Sequence, residues 1–211
     1  GTSSKSSKLI HGGLRYLEYG EFRLVREALL EREVLLAKAP HIIRPMRFVL
    51  PHQHTARPAW LIRTGLLIYD YMGRNQQLPD SLGLDLSRHP AGQPLKPENR
   101  RGFEYSDCWA DDARLVVLNA LSAQQNGARI STHTRVVHAK RAFGRWRVRL
   151  ENSQTGDEET VHARLLINAG GPWVRDVLDN VIVSHSTSGV RLVKGSHIVV
   201  PRLYEDDQAY I

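Results

Sequence analysis

Several residue types that mark whole classes of protein are scarce in this sequence. Its 211 residues include a single cysteine, Cys108, and only two methionines. One cysteine excludes an internal disulfide framework and any zinc site built from several thiolates, so we expect Cys108 to be a buried, unreactive thiol in a reducing compartment. No apolar run approaches the ~20 residues that a membrane-spanning helix requires.

Two motifs with binding chemistry are also absent. No Gly-x-Gly-x-x-Gly sequence occurs, so the chain lacks the usual fingerprint of a dinucleotide-binding turn. His52 and His54 lie two residues apart in a loop that prolines bound, but no third ligand accompanies them. We therefore predict no metal site.

The charge of the sequence is biased towards lysine and arginine, with a formal net charge of +7 at pH 7. These cations are spread along the chain, and no lysine–arginine block or aromatic RNA-binding signature accompanies them. We therefore predict no nucleic-acid partner. A non-catalytic basic interaction module, binding nucleic acid or an anionic membrane surface, remains the alternative to an enzyme.

A polar stretch, residues 3–16, is the most informative segment. It has hydroxyls at Ser4 and Ser7, a cation at Lys8, the glycine pair 12–13 and the planar guanidinium of Arg15. Glycine lets the backbone approach a ligand closely, and arginine forms paired hydrogen bonds with phosphate or carboxylate. The stretch indicates a site for a phosphate-bearing ligand, and the alternative interpretation is a flexible Ser/Lys-rich leader.

Helical periodicity predicts three helices. Apolar residues recur at helical spacing over 14–39, with a break expected near Gly20. A second helix is predicted for 58–72, and its apolar run indicates burial, with contact to a membrane surface as the alternative. The third helix, 113–125, has a good N-cap in the aspartate pair 111–112.

A period of two predicts strands, and three of them form an antiparallel meander. A buried strand is expected to lead into a glycine turn and a short helix from Pro172. Residues 75–105 are rich in Pro, Gly, Asn, Gln and Ser, which indicates an irregular connection. The predicted strands are 46–50, 128–132, the meander 136–142, 146–151 and 160–163, then 165–167, 190–192 and 196–201.

Residues 6–17, Ser-Ser-Lys-x-x-His-Gly-Gly-x-Arg-Tyr-Leu, resemble the flavin loop of FAD-dependent sn-glycerol-3-phosphate dehydrogenases of the aerobic, respiratory type. Further segments resemble that family in family order, so the resemblance covers nearly the whole chain. These segments are 39–41, 45–48, 57–60, 95–98, 101–107, 111–115, 168–173 and 194–197.

The resemblance implies an α/β fold: part of a FAD-binding Rossmann-like domain with the three-stranded meander, plus part of a substrate or cap domain. Because the family opens with Gly-x-Gly-x-x-Gly and continues beyond residue 211, we expect the chain to be an internal fragment. The implied division gives 1–38 and 107–180 to the FAD domain, 39–106 to the cap or substrate domain, and 181–211 to the start of the substrate-domain sheet.

The resemblance also implies an activity. The family oxidises glycerol 3-phosphate to dihydroxyacetone phosphate by hydride transfer to FAD and passes the electrons to quinone. It implies a cytoplasmic protein, peripheral on the inner face of the cell membrane, where basic residues meet an anionic surface. We further expect a homodimer, weak or no FAD binding and little activity for the fragment alone, and a glycerophosphate oxidase as the alternative enzyme.

Site residues follow from the same match. Arg15, Tyr16 and Lys194 correspond to substrate-binding positions. His11 and His197 are the candidate catalytic residues, and the identity of the general base stays open. The positions that correspond to cofactor contacts are Ser4, Ser7, Lys8, Leu9, His11, Gly12, Gly13, Val136, Ala169, Gly170 and Trp173.

Overall fold

The computed structural model describes two compact units, one formed by Gly1–Ser122 with Ile198–Ile211 and the other by Ala123–His197. The sequence-based division into four segments remains a prediction. The described residues are 2–52, 57–73, 77–183, 190–193 and 195–211.

Helices form where the periodicity predicts them. A short 3-10 helix, Leu14–Tyr19, ends at Gly20, whose φ of 75° interrupts the helical backbone before α1 (Phe22–Lys38) begins. The predicted break is therefore confirmed. The second predicted helix is α2 (Ala59–Met72), and the third is α3 (Asp112–Gln125). Among the described residues, no helix is long and apolar enough to cross a bilayer.

Within the described residues, eight strands form two sheets, and the mixed α/β prediction is confirmed. In the first unit, β4 is central: β2 pairs with it on one side, and β1 and β3 pair with it as well, while β8 pairs in parallel with β2. The second unit contains the predicted meander. The strands are β1 (Leu9–Ile10), β2 (Ile43–His52), β3 (Leu82–Asp85), β4 (Arg101–Ala110), β5 (Thr134–Ala142), β6 (Arg145–Asn152), β7 (Glu158–Ala163) and β8 (Ala209–Tyr210).

The prediction that 75–105 is irregular is wrong, because β3 and the first half of β4 lie there. β4 is buried along most of its length, and its buried residues include the polar Ser106 and Asp107. A strand that buries polar residues does not show the simple alternation of an amphipathic strand. β2 also extends beyond the predicted 46–50 and includes two prolines.

The core of the first unit lies between this sheet and helices α1 and α2. Phe48 of β2 and Tyr105 of β4 face each other, and their rings stack with centroids 5.4 Å apart. Val25 and Leu29 of α1 and Leu66 of α2 complete this core and have no exposed surface. Burial of such side chains contributes roughly 1.5–3 kcal/mol each.

Cys108 also lies inside this unit and has no exposed surface. Burial raises the pKa of its thiol to about 11. Because the thiolate is the reactive form, both observations bear out the prediction of a buried, unreactive thiol.

The second unit packs the meander against residues that follow it. Ala139 of β5 and Val148 of β6 are buried together with Val181. Four predicted strands are absent: 128–132, 165–167, 190–192 and 196–201 have no strand pairing in the described part of the chain. Leu165 and Ile167 are 71% and 76% exposed. Apolar side chains alone do not make a strand, because a strand needs a partner for its backbone hydrogen bonds.

Candidate functional site

The N-terminal loop, residues 2–13, is held at the end of the central strand. In β1, Leu9 pairs with Trp109 and Ile10 pairs with Cys108 of β4. The Ala110 amide also donates to the Lys8 carbonyl at 2.8 Å. The segment that the sequence singles out for ligand binding is therefore attached to the most buried strand of the unit.

The serine-rich part of the N-terminal loop is a hydrogen-bonded turn. The Ser6 hydroxyl donates to the Ser3 carbonyl at 3.3 Å and accepts from the Lys8 amide at 3.2 Å. Lys8 has a φ of 57°, a left-handed conformation that is uncommon for a residue with a side chain. Backbone outliers of this kind cluster at ligand sites. Ser4 and Ser7, two predicted cofactor contacts, are exposed, and Lys8 and Leu9 are half-buried.

The glycine pair closes the N-terminal loop against the core. The Gly12 amide donates to the Tyr69 hydroxyl at 2.7 Å and lies 3.4 Å from Asp107 Oδ1. A Cβ at position 12 would lie 2.5 Å from Leu29 Cδ2, so only glycine fits there without displacement. Gly13 has a φ of 74°, which favours glycine for a different reason.

Behind the glycine pair lies a set of buried polar groups that we call the anchor network: Arg32, Tyr69, Asp107 and the Gly12 amide. The Tyr69 hydroxyl donates to Asp107 Oδ1 at 2.8 Å, and Arg32 Nη1 donates to the same oxygen at 2.7 Å. Arg32 also donates to the Ser106 carbonyl at 3.0 Å. The three residues are at most 2% exposed, so the network is shielded from solvent.

The electrostatics of the anchor network follow from its burial. Desolvation raises the pKa of Asp107, and the hydrogen bonds from Arg32 and Tyr69 oppose that rise by stabilising the charged carboxylate. Burial and the neighbouring Asp107 raise the pKa of Tyr69. Desolvation favours a lower pKa for Arg32, but Asp107, Tyr69 and Glu33 together outweigh it and the pKa is raised.

The residues predicted to face the substrate come just after the glycine pair in the sequence. Arg15 and Tyr16 lie in the 3-10 helix and are both exposed, as is His11. The Tyr16 amide donates to the Gly13 carbonyl at 2.8 Å, and a Cβ at position 13 would lie 2.5 Å from Tyr16 Cδ2. The tyrosine ring thus packs on the glycine turn, while the guanidinium of Arg15 remains accessible.

A groove in the second unit brings together three predicted cofactor contacts. Val136, Ala169 and Gly170 line a cavity of about 620 Å³, beside a register shift in β5 between Val136 and His138. Asn168 fixes the adjoining turn: its Oδ1 accepts from the Gly170 amide at 3.2 Å and its Nδ2 donates to the Val174 carbonyl at 3.0 Å.

The remaining predicted site residues do not line this groove. Trp173 is 62% exposed and does not line the groove. His197 is exposed and belongs to no helix or strand. Lys194, like His54 of the histidine pair, lies outside the described residues. Within the ranges that the structure describes, no group of three or more His, Cys, Asp or Glu side chains is placed to hold a metal ion.

Sequence reasoning assigned no role to the three side chains of the anchor network. Arg32 did leave a signal, because it occupies the buried stripe of α1 with Val25, Leu29 and Leu36. A charged residue on a buried helical face needs a partner. Asp107 lies in the family-like segment 101–107 and Tyr69 in the apolar run of the second predicted helix, and neither pattern indicates a role for the side chain.

Comparisons with known proteins identify relatives along the entire chain. The sequence profile of the FAD dependent oxidoreductase family matches residues 1–210. A glycerol-3-phosphate dehydrogenase from Pseudomonas aeruginosa is 60% identical over 210 residues, which are 100% of this chain and 40% of that protein. A D-erythritol 1-phosphate dehydrogenase from Brucella abortus is 59% identical over 211 residues, which are 100% of this chain and 42% of that protein. The chain therefore spans about two fifths of the length of these curated relatives.

A solved structure supports the fold. The glycerol-3-phosphate dehydrogenase from Bacillus halodurans, complexed with FAD, is similar with a TM-score of 0.58 and 24% identity over 85% of this chain and 28% of that chain. At this identity the likeness shows the fold alone, and the predicted Rossmann-like α/β fold is confirmed. With its profile matching residues 1–210, this chain belongs to the FAD dependent oxidoreductase family.

Proposed function

We propose that the polypeptide carrying this chain oxidises the secondary alcohol of sn-glycerol 3-phosphate to dihydroxyacetone phosphate with FAD. The observation that supports this most is that an exposed Arg15 lies in the 3-10 helix that directly follows the N-terminal loop, whose buried glycine pair is anchored to the core. The 60% identical Pseudomonas aeruginosa relative, named a glycerol-3-phosphate dehydrogenase, indicates the substrate.

The described residues fit FAD. At Gly12 the absence of a Cβ lets the backbone pack against Leu29 and Tyr69. The exposed residues of the N-terminal loop include Ser4, Ser7 and His11. The hydroxyls of Ser4 and Ser7 and the Lys8 ammonium suit the diphosphate and ribityl oxygens. In the second unit, the groove beside Gly170 is lined by two further positions that correspond to cofactor contacts, Val136 and Ala169. When bound, FAD supplies the acceptor for the hydride.

The side chains of this protein supply the rest of the chemistry. Arg15 binds the substrate phosphate through paired hydrogen bonds, and the Tyr16 hydroxyl donates to a substrate oxygen. A base must take the hydroxyl proton as the hydride leaves, and His11 and His197 are the candidates. A pH profile of the His11→Gln and His197→Gln variants separates them, because only loss of the base removes the acidic limb of kcat/KM.

Arg15 gives a quantitative prediction for this proposal. Lysine at this position keeps the charge but loses the planar pair of donors, so we expect Arg15→Lys to lower kcat/KM about tenfold and Arg15→Ala about a hundredfold. Steady-state kinetics with glycerol 3-phosphate measure both. Arg23→Ala is the matched control, because Arg23 is an exposed arginine of α1 that pairs only with Glu27 among the described residues. If Arg15→Ala and Arg23→Ala lowered kcat/KM equally, Arg15 would not be a substrate-binding residue.

D-erythritol 1-phosphate is a second candidate substrate, because the Brucella abortus relative is 59% identical along this chain. Both compounds are polyol phosphates, so the phosphate-binding residues do not separate them. The ratio of kcat/KM for the two compounds shows which one is the preferred substrate, and we expect glycerol 3-phosphate to have the higher value.

We further propose quinone as the electron acceptor, in preference to the oxygen that an oxidase would use. The test compares turnover with a soluble quinone analogue against turnover in air. Stoichiometric hydrogen peroxide in air would instead establish the oxidase.

The hairpin of β5 and β6 supports an additional proposal, contact with an anionic membrane surface at the cytoplasmic face. Phe143 at its tip is fully exposed with a φ of 50°. Lys140 of β5 pairs with Arg147 of β6, which places two cationic side chains side by side. Adjacent like charges repel, and an anionic surface relieves that repulsion. Peripheral attachment and a homodimer are proposals as well.

We expect a Phe143→Ser, Arg147→Ser double variant to bind anionic vesicles at least about fivefold more weakly than the parent, since each basic residue near such a surface contributes about 1 kcal/mol. Co-sedimentation with vesicles of phosphatidylglycerol and phosphatidylcholine measures this. Leu165→Ser, which changes another exposed apolar residue of the same unit, serves as the control. If the parent protein does not bind vesicles that contain the anionic phosphatidylglycerol, the membrane proposal is wrong.

A further inference from the structure

We propose that Tyr69 is a positioning residue for the flavin-binding loop, an inference that rests on the proposed function. Tyr69 belongs to α2, yet its hydroxyl is the 2.7 Å acceptor for the Gly12 amide. The two residues are 57 positions apart in the sequence. The turn of the N-terminal loop is therefore set by a side chain from another element of the core.

The direction of each hydrogen bond in the anchor network is fixed. The Gly12 amide can only donate, so the Tyr69 oxygen accepts from it through a lone pair. The hydroxyl hydrogen of Tyr69 is then left to donate to Asp107 Oδ1, 2.8 Å away. Arg32 Nη1 spans Asp107 Oδ1 and the Ser106 carbonyl at 2.7 and 3.0 Å, which fixes the carboxylate itself. Each group orients the next, from the buried guanidinium to the loop amide.

The anchored amide joins the two residues whose geometry matters most for the site. Gly12 stands between His11, a candidate base, and Gly13, whose positive φ turns the chain towards Arg15. Rotation of the peptide plane between His11 and Gly12 would displace both His11 and Gly13. Without the Tyr69 hydroxyl, the remaining acceptor is Asp107 Oδ1 at 3.4 Å, a much weaker contact. The loop is then expected to loosen while the core persists.

Hydrogen exchange of the Gly12 amide tests the contact without any cofactor. The variant is Tyr69→Phe in the 211-residue protein, and Tyr105→Phe is the control. Tyr105 is buried in the same core with its ring 6.0 Å from that of Tyr69, and among the described residues its hydroxyl has no hydrogen bond. We expect exchange at Gly12 to accelerate about tenfold in Tyr69→Phe, relative to amides of β4, and to stay unchanged in Tyr105→Phe. Equal exchange at Gly12 in both variants overturns the proposal.

The FAD-loaded polypeptide tests the consequence for the site. In Tyr69→Phe we expect a displaced flavin absorption spectrum and a limiting rate of flavin reduction by glycerol 3-phosphate that is about tenfold lower. The half-saturating concentration should change by less than about twofold, because Arg15 is untouched. A wild-type spectrum and limiting rate in this variant overturn the positioning role, whatever happens to its melting temperature.

Two further outcomes remain decisive. If glycerol 3-phosphate does not reduce the wild-type flavin, the proposed function fails, while Gly12 exchange and the flavin spectrum still decide the role of Tyr69. If Tyr69→Phe does not fold, 3-fluorotyrosine at position 69 replaces it, because fluorine weakens the hydroxyl as an acceptor with little change in volume. Faster Gly12 exchange in that protein supports the proposal, and unchanged exchange overturns it.

Discussion

An Asp107→Ala variant is expected to lose about 3–5 kcal/mol of its free energy of unfolding, because it leaves a buried charge without its partner. Arg32 has no exposed surface, and its guanidinium donates to Asp107 at 2.7 Å. Glu33 and the Ser106 carbonyl still contact Arg32 in this variant, so the loss should fall towards the lower limit. Denaturant unfolding followed by circular dichroism measures the change.

An exposed ion pair of good geometry is the control for this variant. Arg129 and Glu159 form two hydrogen bonds of 2.8 and 2.7 Å, but both side chains are substantially exposed. Solvent screens such pairs, so Glu159→Ala should leave the denaturation midpoint almost unchanged. If the two variants lost the same stability, burial would not be what makes the Arg32–Asp107 pair matter.

A Gly12→Ala variant is expected to lose about 2–4 kcal/mol, through overpacking and through loss of a buried hydrogen bond. The added Cβ would lie 2.5 Å from Leu29 Cδ2 and 2.6 Å from the Tyr69 hydroxyl. The backbone at this position is not left-handed, so the cost comes from the contact and not from φ. Thermal and denaturant unfolding measure the loss, and FAD retention should fall with it.

Gly65→Ala provides a control of opposite sign. Gly65 lies inside α2, and a Cβ there would meet no atom within 4 Å apart from its chain neighbours and the backbone of its own helix. Alanine favours a helix over glycine by about 0.8–1 kcal/mol, so this variant should be slightly more stable than the parent. A Gly12→Ala variant as stable as Gly65→Ala would show that the N-terminal loop is not packed against Tyr69.

Local patterns were sufficient to predict much of the fold. The break at Gly20, the end of α2 at Gly73 and the β5–β7 meander each follow from a period or from a glycine that can be read in sequence. β4 could not be read in this way, because its buried Ser106 and Asp107 are satisfied by partners from distant elements. The strand prediction for 165–167 is wrong for the opposite reason. This segment has the apolar composition of a strand, but it has no pairing partner in the described residues.

In the candidate site, too, some features can be predicted from the sequence and others depend on tertiary contacts. The hydroxyls, glycines and guanidinium of residues 3–16 indicate phosphate chemistry by residue type alone, and these residues lie close together in sequence. The groups that hold this loop are Arg32, Tyr69 and Asp107, whose contacts link positions 38 to 95 residues apart. Such contacts arise only from tertiary packing, so sequence spacing does not reveal them.

Anaerobic addition of glycerol 3-phosphate to the FAD-loaded polypeptide tests the central claim most directly. We predict loss of the oxidised-flavin absorbance in a single turnover, with stoichiometric formation of dihydroxyacetone phosphate and a marked slowing in Arg15→Ala. Flavin that stays oxidised at saturating glycerol 3-phosphate, in a protein that retains its FAD, would contradict the claim.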